Sequence, residues 1–207
     1  MNKRIADQLS SDSEDRSNVL RSGGTGTDKN VFLNALGRLV SHKNRMFLIE
    51  YNSEILFETA NLIRFGDRQE QSGLTLVKTC KLLETSARHC PDQIVPSEVR
   101  GGDAFDLLQL LSTSRSGTLS TVRASSTQQV IGRFNRRVLQ SGVELLSRAA
   151  KSTITESFNI IIQFEGQSGI QSVSGVLEFS GYSSGTDHYD WNRARAAGVK
   201  QQQPLFA

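Results

Sequence analysis

The chain has 207 residues, of which 37% are apolar and 22% are charged. This composition is that of a folded globular domain with a sizeable core, and it excludes a chain that is disordered throughout. The formal net charge is only +3 and the basic residues are scattered, so charge alone does not indicate nucleic acid or an anionic membrane as the partner.

The N-terminal segment, residues 1–17, is polar and rich in serine and aspartate, which predicts a frayed, disordered lead-in before a domain that starts at Asn18. It lacks the apolar region of a signal peptide, and no stretch of the chain approaches the roughly 20 apolar residues that cross a membrane. Cys80 and Cys90 are too few for a disulfide framework and lack the CxxC spacing of a zinc site. These features favour a cytosolic, reducing compartment.

A glycine-rich loop, SGGTGTDKN at residues 22–30, follows a short apolar run that contains Val19 and Leu20. The loop approximates the phosphate-binding pattern GxxxxGK[ST], but Asp28 stands where that pattern has glycine and Asn30 stands where it has a hydroxyl. The next segment, VFLNALGRLV, has helical spacing, so strand, glycine loop and helix follow in the order that a phosphate site needs. Taken alone, these residues fit a phosphate-binding loop and a chance glycine-rich turn equally well.

Strands and helices alternate through the first two thirds of the chain. Two apolar runs predict strands that end near carboxylates, residues 45–51 at Glu50 and residues 93–99 at Glu98. The other predicted elements are strands at 63–65 and 117–124 and helices at 31–40, 74–87, 103–114 and 126–141, the last of which begins with serine or threonine caps.

The last third has the pattern of an antiparallel hairpin. Strand-like runs at 157–166 and 171–182 are separated by turn residues, and residues 191–207 predict a flexible tail. The predicted fold class is therefore α/β, with a mostly parallel sheet covered by helices on both faces and this C-terminal hairpin at one edge.

Three predicted strand ends place residues that could bind phosphate or metal at one edge of this sheet. Ligands of open α/β sheets bind at the carboxyl ends of strands, where Lys29, Glu50 and Glu98 are expected to lie. Phosphoryl transfer needs a lysine that offsets phosphate charge, a ligand for Mg²⁺ and a carboxylate that orients the attacking water. The arginines near these ends are either phosphate contacts or solvated surface charges. They are Arg68, Arg100 and Arg123.

One long block, PDQIVPSEVRGGDAFDLLQLLSTSRSGTLSTVRASS at residues 91–126, resembles the Walker B region and histidine box of the type II and type IV secretion and conjugation ATPases. The glycine loop with its flanks resembles the Walker A segment of that family, FLIEY its aspartate box and IRFGDRQ its arginine-bearing segment. VLQSGVELLSRA and VSGVLEFSGY resemble its C-terminal region. The motifs follow the family's order and cover residues 18–190, nearly the whole chain.

The resemblance implies a RecA-type P-loop ATPase domain at residues 18–190 that binds ATP and Mg²⁺ and forms a homo-hexamer. It implies a cytoplasmic motor, peripheral at the inner face of the cytoplasmic membrane, that works with other secretion, conjugation or pilus-assembly subunits and without direct contact to nucleic acid. The catalytic residues carried over are Glu50, Glu98, Arg100 and Arg68. The nucleotide-binding residues are Gly23, Gly24, Thr25, Gly26, Thr27, Lys29 and Asn30, of which Asn30 is the candidate magnesium ligand.

Five positions depart from the family's pattern, namely Asp28, Asn30, Tyr51, Ser97 and Arg123. Asp28 puts a side chain and a negative charge where glycine allows close phosphate approach. Repulsion between unit charges about 4 Å apart is about 1 kcal/mol in water and about 4 kcal/mol in a half-buried site, enough to weaken nucleotide binding by a factor of tens or more. Asn30 is a neutral, longer magnesium ligand, Tyr51 cannot replace a carboxylate, and Arg123 cannot exchange a proton as histidine does.

The family binds its nucleotide between this domain and an N-terminal domain. Only residues 1–17 precede the first strand, so that partner domain is expected to be absent and the site half open. Three functions stay open: an ATPase motor domain, with hydrolysis intact or impaired; a truncated, degenerate and catalytically dead paralogue that keeps the fold and serves as an interaction or regulatory subunit or has no function; and a nucleic-acid-binding module. The departures in the loop favour the second.

Overall fold

A computed structural model describes residues 16–24, 33–34, 37, 43–50, 54–66, 79–113, 117–143, 147–167 and 170–193 of the chain. Strands and helices alternate through these residues, as expected for an α/β protein. The elements are β1 (Val19–Gly23), β2 (Met46–Glu50), β3 (Leu62–Gly66), α1 (Thr79–Arg88), β4 (Gln93–Pro96), α2 (Asp103–Thr113), β5 (Gly117–Arg123), α3 (Thr127–Leu139), α4 (Ser147–Ser157), β6 (Ile160–Gln167), β7 (Ile170–Ser183) and β8 (His188–Arg193).

The described strands form one sheet in the order β3-β2-β4-β5-β1-β6-β7-β8. Strands β3 to β6 in that order run parallel to one another, and β7 and β8 are antiparallel additions at one edge. Every residue of β1, β2 and β4 is buried. Continuous burial of this kind arises because both faces of a parallel sheet are covered. The predicted α/β class, mostly parallel sheet and antiparallel C-terminal strands are confirmed.

Two apolar clusters lie on opposite faces of the sheet, because successive residues of a strand point to opposite sides. Leu20 and Phe47 belong to the first cluster, which also contains residues from all four described helices. Val19 and Leu48 belong to the second, together with Leu33, a helical residue in the segment after the glycine loop. Of the helices in the described ranges, none is long and apolar enough to span a membrane.

Helix α3 begins where the sequence predicts. Ser126 is the N-cap, with extended backbone at φ −152° and ψ 160°, and its side chain accepts a hydrogen bond from the Gln129 N–H at 3.4 Å. This cap satisfies one of the N–H groups that the first turn of a helix leaves without an intrahelical acceptor. The start of α3 fixes the direction in which its arginines approach the end of β5.

Helix α4 was not predicted. Its sequence, SRAAKSTITES, is rich in serine and threonine, which have low helix propensity. The helix forms because Ala150 and Ile154, one turn apart, are both 0% exposed in the first cluster.

Strand β8 corrects the predicted tail boundary. Residues 191–193 were assigned to a flexible tail, but they belong to β8 and pair with β7, with Trp191 opposite Phe179 and Arg193 opposite Leu177. The strand is stabilised by aromatic packing, because the rings of Tyr182 and Tyr189 lie 5.1 Å apart. The rest of the predicted tail, residues 194–207, lies outside the described residues.

Candidate functional site

The carboxyl ends of four neighbouring parallel strands carry the candidate site. β1 ends at Gly23, β2 at Glu50 and β5 at Arg123, and Glu98 follows shortly after β4. Gly23 lies opposite Arg123 in the sheet register. The order along this edge is therefore Glu50, Glu98, Arg123, Gly23. Both carboxylates lie on the same edge as the start of the glycine loop, where ligands of open α/β sheets bind.

Part of the predicted site lies outside the described residues. This holds for residues 25–30, which include Lys29 and Asn30, and for Arg68. Gly24 is described, and a Cβ built on it has no neighbour within 4 Å among the residues that the structure describes. The roles assigned to all of these residues stay predictions.

Glu50 is held by a hydrogen-bond network at the end of β2. Its side chain is only 4% exposed, and Oε2 accepts hydrogen bonds from the backbone N–H groups of Glu54 and Ile55, both at 3.0 Å. Oε1 accepts a hydrogen bond from Nη1 of Arg64 at 3.0 Å, and the same nitrogen donates to the Ile55 carbonyl at 2.7 Å. Both carboxylate oxygens are bonded, and the network ties the segment after β2 to β3.

Arg64 lies at the edge of the candidate site and was not predicted from the sequence. The arginine of that segment was assigned to Arg68 by the resemblance. In the structure Arg64 lies opposite Leu48, two residues before Glu50, so its side chain reaches the carboxylate across the strand pair. The sequence feature that indicates such a role is a charged residue in the middle of an apolar run, next to a strand that ends in a carboxylate.

Glu98 lies between two guanidinium groups, and we call Glu98, Arg100 and Arg123 the arginine clamp. Arg100 donates to Oε2 from Nη2 at 2.8 Å and from Nε at 3.0 Å. Nε of Arg123 lies 3.3 Å from Oε1. The Glu98 side chain is 16% exposed, whereas both arginine side chains are about half exposed. The carboxylate that is expected to orient water is thus paired with cations on both oxygens.

Helix α3 adds two more arginines beside the clamp. Arg133 donates from Nη1 to the backbone carbonyl of Arg123 at 3.1 Å, and Arg137 donates from Nη1 to the carbonyl of Val99. The pKa of Arg137 is lowered mainly by burial, and the nearby Arg133, Arg123 and Arg100 lower it further while Glu98 opposes them. The two arginines were not singled out from the sequence. Arg137 holds the residue between Glu98 and Arg100, so it positions the clamp.

Replacing Arg137 with glutamine is expected to destabilise the protein by about 1–2 kcal/mol, because the partly buried Val99 carbonyl loses its charged donor. Urea denaturation measures that change, and hydrogen exchange at residues 97–101 is expected to become faster. Arg136→Gln is the matched control, since it removes the same charge from an exposed position one residue away. Equal effects of the two substitutions on both readouts would contradict the positioning role of Arg137.

Buried polar groups lie behind the end of β1. Ser22 Oγ and Gln163 Nε2 both donate to the carbonyl of Ala124, at 3.4 and 3.3 Å. Arg21 is only 1% exposed, and its guanidinium carbon lies 4.7 Å from the ring centroid of Phe164, which is cation–π geometry. A positive charge is therefore buried in β1 just before the glycine loop. The only sequence signal for it was an arginine inside an otherwise apolar strand.

The described residues do not form a ready-made magnesium site. Within the ranges that the structure describes, no group of three or more His, Cys, Asp or Glu side chains is placed to hold a metal. Glu50 is bonded to backbone amides and Arg64, and Glu98 is bonded in the clamp. Magnesium bound by one or two protein ligands usually completes its shell with phosphate oxygens and water. Asn30, the magnesium ligand predicted from the sequence, lies outside the described residues.

Comparison with protein families gives one domain match. The sequence model of the family described as "Type II/IV secretion system protein" matches residues 2–164. Conjugal transfer protein TrbB of Rhizobium radiobacter is 25% identical over 195 residues, which are 91% of this chain and 57% of that protein. Type IV secretion system protein PtlH of Bordetella pertussis is 29% identical over 155 residues, which are 73% of this chain and 46% of that protein. The chain thus spans about half the length of these relatives.

Solved structures share the fold. The VirB11 ATPase of the Brucella suis type IV secretion system, crystallised with sulphate, superposes with a TM-score of 0.74 at 20% identity, covering 85% of this chain and 53% of that one. The pilus retraction motor PilT with bound ADP gives a TM-score of 0.60 at 13% identity, with 95% and 52% covered. These superpositions show the RecA-like fold, and at identities this low they show the fold alone.

Proposed function

Because the chain belongs to the type II/IV secretion system protein family, we propose that it is the nucleotide-binding motor domain of a secretion, conjugation or pilus-assembly protein, and that it binds ATP with impaired hydrolysis. The observation that carries the proposal is the sheet edge where Gly23, Arg123, Glu98 and Glu50 follow one another on neighbouring strands. This edge offers phosphate contacts at one end and carboxylates at the other.

Each candidate residue has a proposed role in ATP binding or hydrolysis. Lys29 and Arg123 offset phosphate charge, and Glu98 orients the water that attacks the terminal phosphate. Arg68 and Arg100 are further candidates for phosphate contacts. Magnesium, when bound through Asn30 and phosphate oxygens, would neutralise charge that develops on the phosphates.

The hydrogen bonds and ion pairs of Glu98 and Glu50 support impaired hydrolysis of ATP. A general base must accept a proton from water, and Glu98 is paired with arginines on both oxygens. Glu50 is equally engaged, by two backbone N–H groups and Arg64. Asp28 and Asn30 weaken phosphate and magnesium binding on chemical grounds. Each effect lowers the rate without removing the ability to bind nucleotide.

A second candidate function is a regulatory or interaction subunit that binds nucleotide and does not turn it over. It is favoured by Glu50, whose contacts serve the fold of the β2–β3 segment. In either case the proposed partners are further copies of the chain, in a ring of six, and other secretion or pilus subunits. The proposed location is the cytoplasm, peripherally at the inner face of the membrane. We propose no direct contact with nucleic acid.

Millimolar ATP with Mg²⁺ is expected to raise the melting temperature, since a ligand that binds only the folded state stabilises it by RT ln(1 + [L]/Kd). Lys29→Ala is expected to abolish this shift and to lower phosphate release to background. Lys81→Ala, which removes the same charge from an exposed position on α1, is the control and should leave both unchanged. No shift for the unmodified chain at millimolar ATP would refute nucleotide binding.

A further inference from the structure

A groove of about 520 Å³ lies between α1 and α2. Its lining includes Leu83 and Leu110, which are only 2% and 7% exposed, and the half-buried Ala87, so its floor is apolar. Exposed polar residues of both helices, Glu84 and Gln109 among them, line it as well. An apolar floor between polar walls is the pattern of a groove that receives one side of an amphipathic helix.

Asp106 is the carboxylate in this groove that a cation would stabilise most. Its side chain is half-buried and makes no hydrogen bond or ion pair with any residue that the structure describes. Burial raises the pKa of Asp106, and the charges of Asp103 and Glu84 raise it further. Lys81 forms an ion pair with Glu84 at 3.0 Å, and Arg88 also acts on Glu84. The cations nearest the groove therefore offset Glu84.

The outer face of α3 carries the complementary side chains. Arg136 is exposed, and its guanidinium group makes no hydrogen bond or ion pair within the described ranges. Leu139 lies three residues later, on the same face of the helix, and is 39% exposed. Val143, just after the helix, is 41% exposed. A cation and exposed apolar surface thus lie side by side, and we call Arg136 and Leu139 the α3 ridge.

The groove and the α3 ridge complement each other in charge and in apolar surface. The groove combines an unpaired carboxylate with an apolar floor, and the ridge combines an unpaired cation with an exposed leucine. Helix α2 packs against both α1 and α3, so both surfaces belong to one layer of helices. Asp106 and Arg136 do not pair with each other within one copy of the chain. A second copy can therefore satisfy both.

We propose that the α3 ridge of one copy of the chain docks in the α1–α2 groove of another copy. Arg136 then pairs with Asp106, and Leu139 packs on the floor that Leu83 and Leu110 form. The contact needs no nucleotide, and only the number of copies, a ring of six, rests on the proposed function. The contact is small, so its Kd is expected to be on the order of 10–100 μM.

Charge reversal tests the contact by sedimentation velocity at low salt, over about 1–500 μM protein. The unmodified chain is expected to associate as its concentration rises. Asp106→Lys and Arg136→Asp are each expected to weaken association at least about tenfold, because like charges then face each other. The chain with both substitutions is expected to regain the original affinity within about threefold, and a mixture of the two single variants should associate again. Asp190→Lys, at an exposed position of β8, is the control and should have no effect.

Two outcomes would overturn the proposal: an unmodified chain that stays monomeric throughout this range, or reversals that fold but do not rescue each other. If Asp106→Lys does not fold by circular dichroism, thiol labelling replaces the rescue. Cys80 lines the groove and is the only thiol left in Cys90→Ser. Its reaction with excess maleimide is expected to slow at least about threefold over the same range, and not in the Arg136→Asp chain. A rate that is independent of concentration would refute the contact.

Thermal melts with ATP at about 1 μM protein separate this proposal from the proposed function, because the copies are apart at that concentration. Association through the groove, together with no shift by ATP, would leave the contact standing and refute nucleotide binding. A shift by ATP in a chain that stays monomeric at about 500 μM would do the reverse. At about 1 μM, Arg136→Gln also remains a valid control for Arg137→Gln in urea.

Discussion

Restoring the glycine loop, with Asp28→Gly and Asn30→Thr together, is expected to tighten binding of ATP with Mg²⁺ by a factor of tens or more. In the proposed nucleotide site, Asp28 adds a negative charge beside a polyanion, a repulsion of about 1 kcal/mol in water and about 4 kcal/mol in a half-buried site. Glycine also allows the close backbone approach that a side chain resists. Threonine supplies the short hydroxyl ligand that the carboxamide of Asn30 replaces.

Calorimetric titration with ATP and Mg²⁺ measures the change. The control is the same pair of chemical changes at exposed positions of β8, Asp190→Gly with Asn192→Thr, which is expected to leave affinity unchanged. If the loop substitutions do not raise the affinity for ATP, Asp28 and Asn30 do not weaken nucleotide binding as predicted. Hydrolysis is expected to rise much less than affinity, because the clamp on Glu98 remains.

The positions of the main-chain elements were largely predictable, because they depend on local patterns. The buried strands that end at Glu50 and near Glu98 are visible as apolar runs, and parallel topology then places their ends on one edge. Helix α4 was not predictable in this way, because its serines and threonines disfavour a helix and the tertiary burial of Ala150 and Ile154 stabilises it.

The side-chain network of the site was much less predictable. Motif spacing identifies Glu50 and Glu98 but not their partners, since a partner is chosen by the register between strands that are distant in sequence. Arg64 reaches Glu50 only because β3 pairs with β2 in one particular register. Arg137 reaches the Val99 carbonyl from a helix that follows the next strand of the sheet. Such contacts follow from the assembled fold and not from local pattern.

Glu98 and Glu50, the two carboxylates at the carboxyl edge of the sheet, are bonded by different kinds of donor. Glu98 is bonded by side chains that are half exposed, which a competing anion can reach. Glu50 is 4% exposed and accepts two of its hydrogen bonds from the backbone. The backbone donors to Glu50 are held in place by the fold, whereas the arginine donors to Glu98 can rotate toward another acceptor. Ligand binding is therefore expected to rearrange the contacts of Glu98, whereas Glu50 keeps its contacts as part of the folded structure.

Replacing Glu50 with alanine is accordingly expected to lower the free energy of unfolding by about 3 kcal/mol without any nucleotide present. The backbone N–H groups of the buried Ile55 and of the exposed Glu54 lose a charged acceptor, and each such loss costs about 1–3 kcal/mol, least for the exposed group. The Arg64 contribution is small because 39% of its side chain is exposed and its guanidinium group returns to water. For a domain of this size the melting temperature should fall by about 6–12 °C.

Glu50→Gln separates the two parts of this effect. Glutamine keeps an oxygen that accepts from the N–H groups of Glu54 and Ile55 but loses the negative charge, so its cost is expected to be about half that of alanine. Glu178→Ala, an exposed carboxylate on β7, is the control and should stay within about 0.5 kcal/mol of the unmodified chain. If Glu50→Ala unfolds at the same urea concentration as Glu178→Ala, the Glu50 network does not stabilise the fold, and its carboxylate is free to serve the nucleotide.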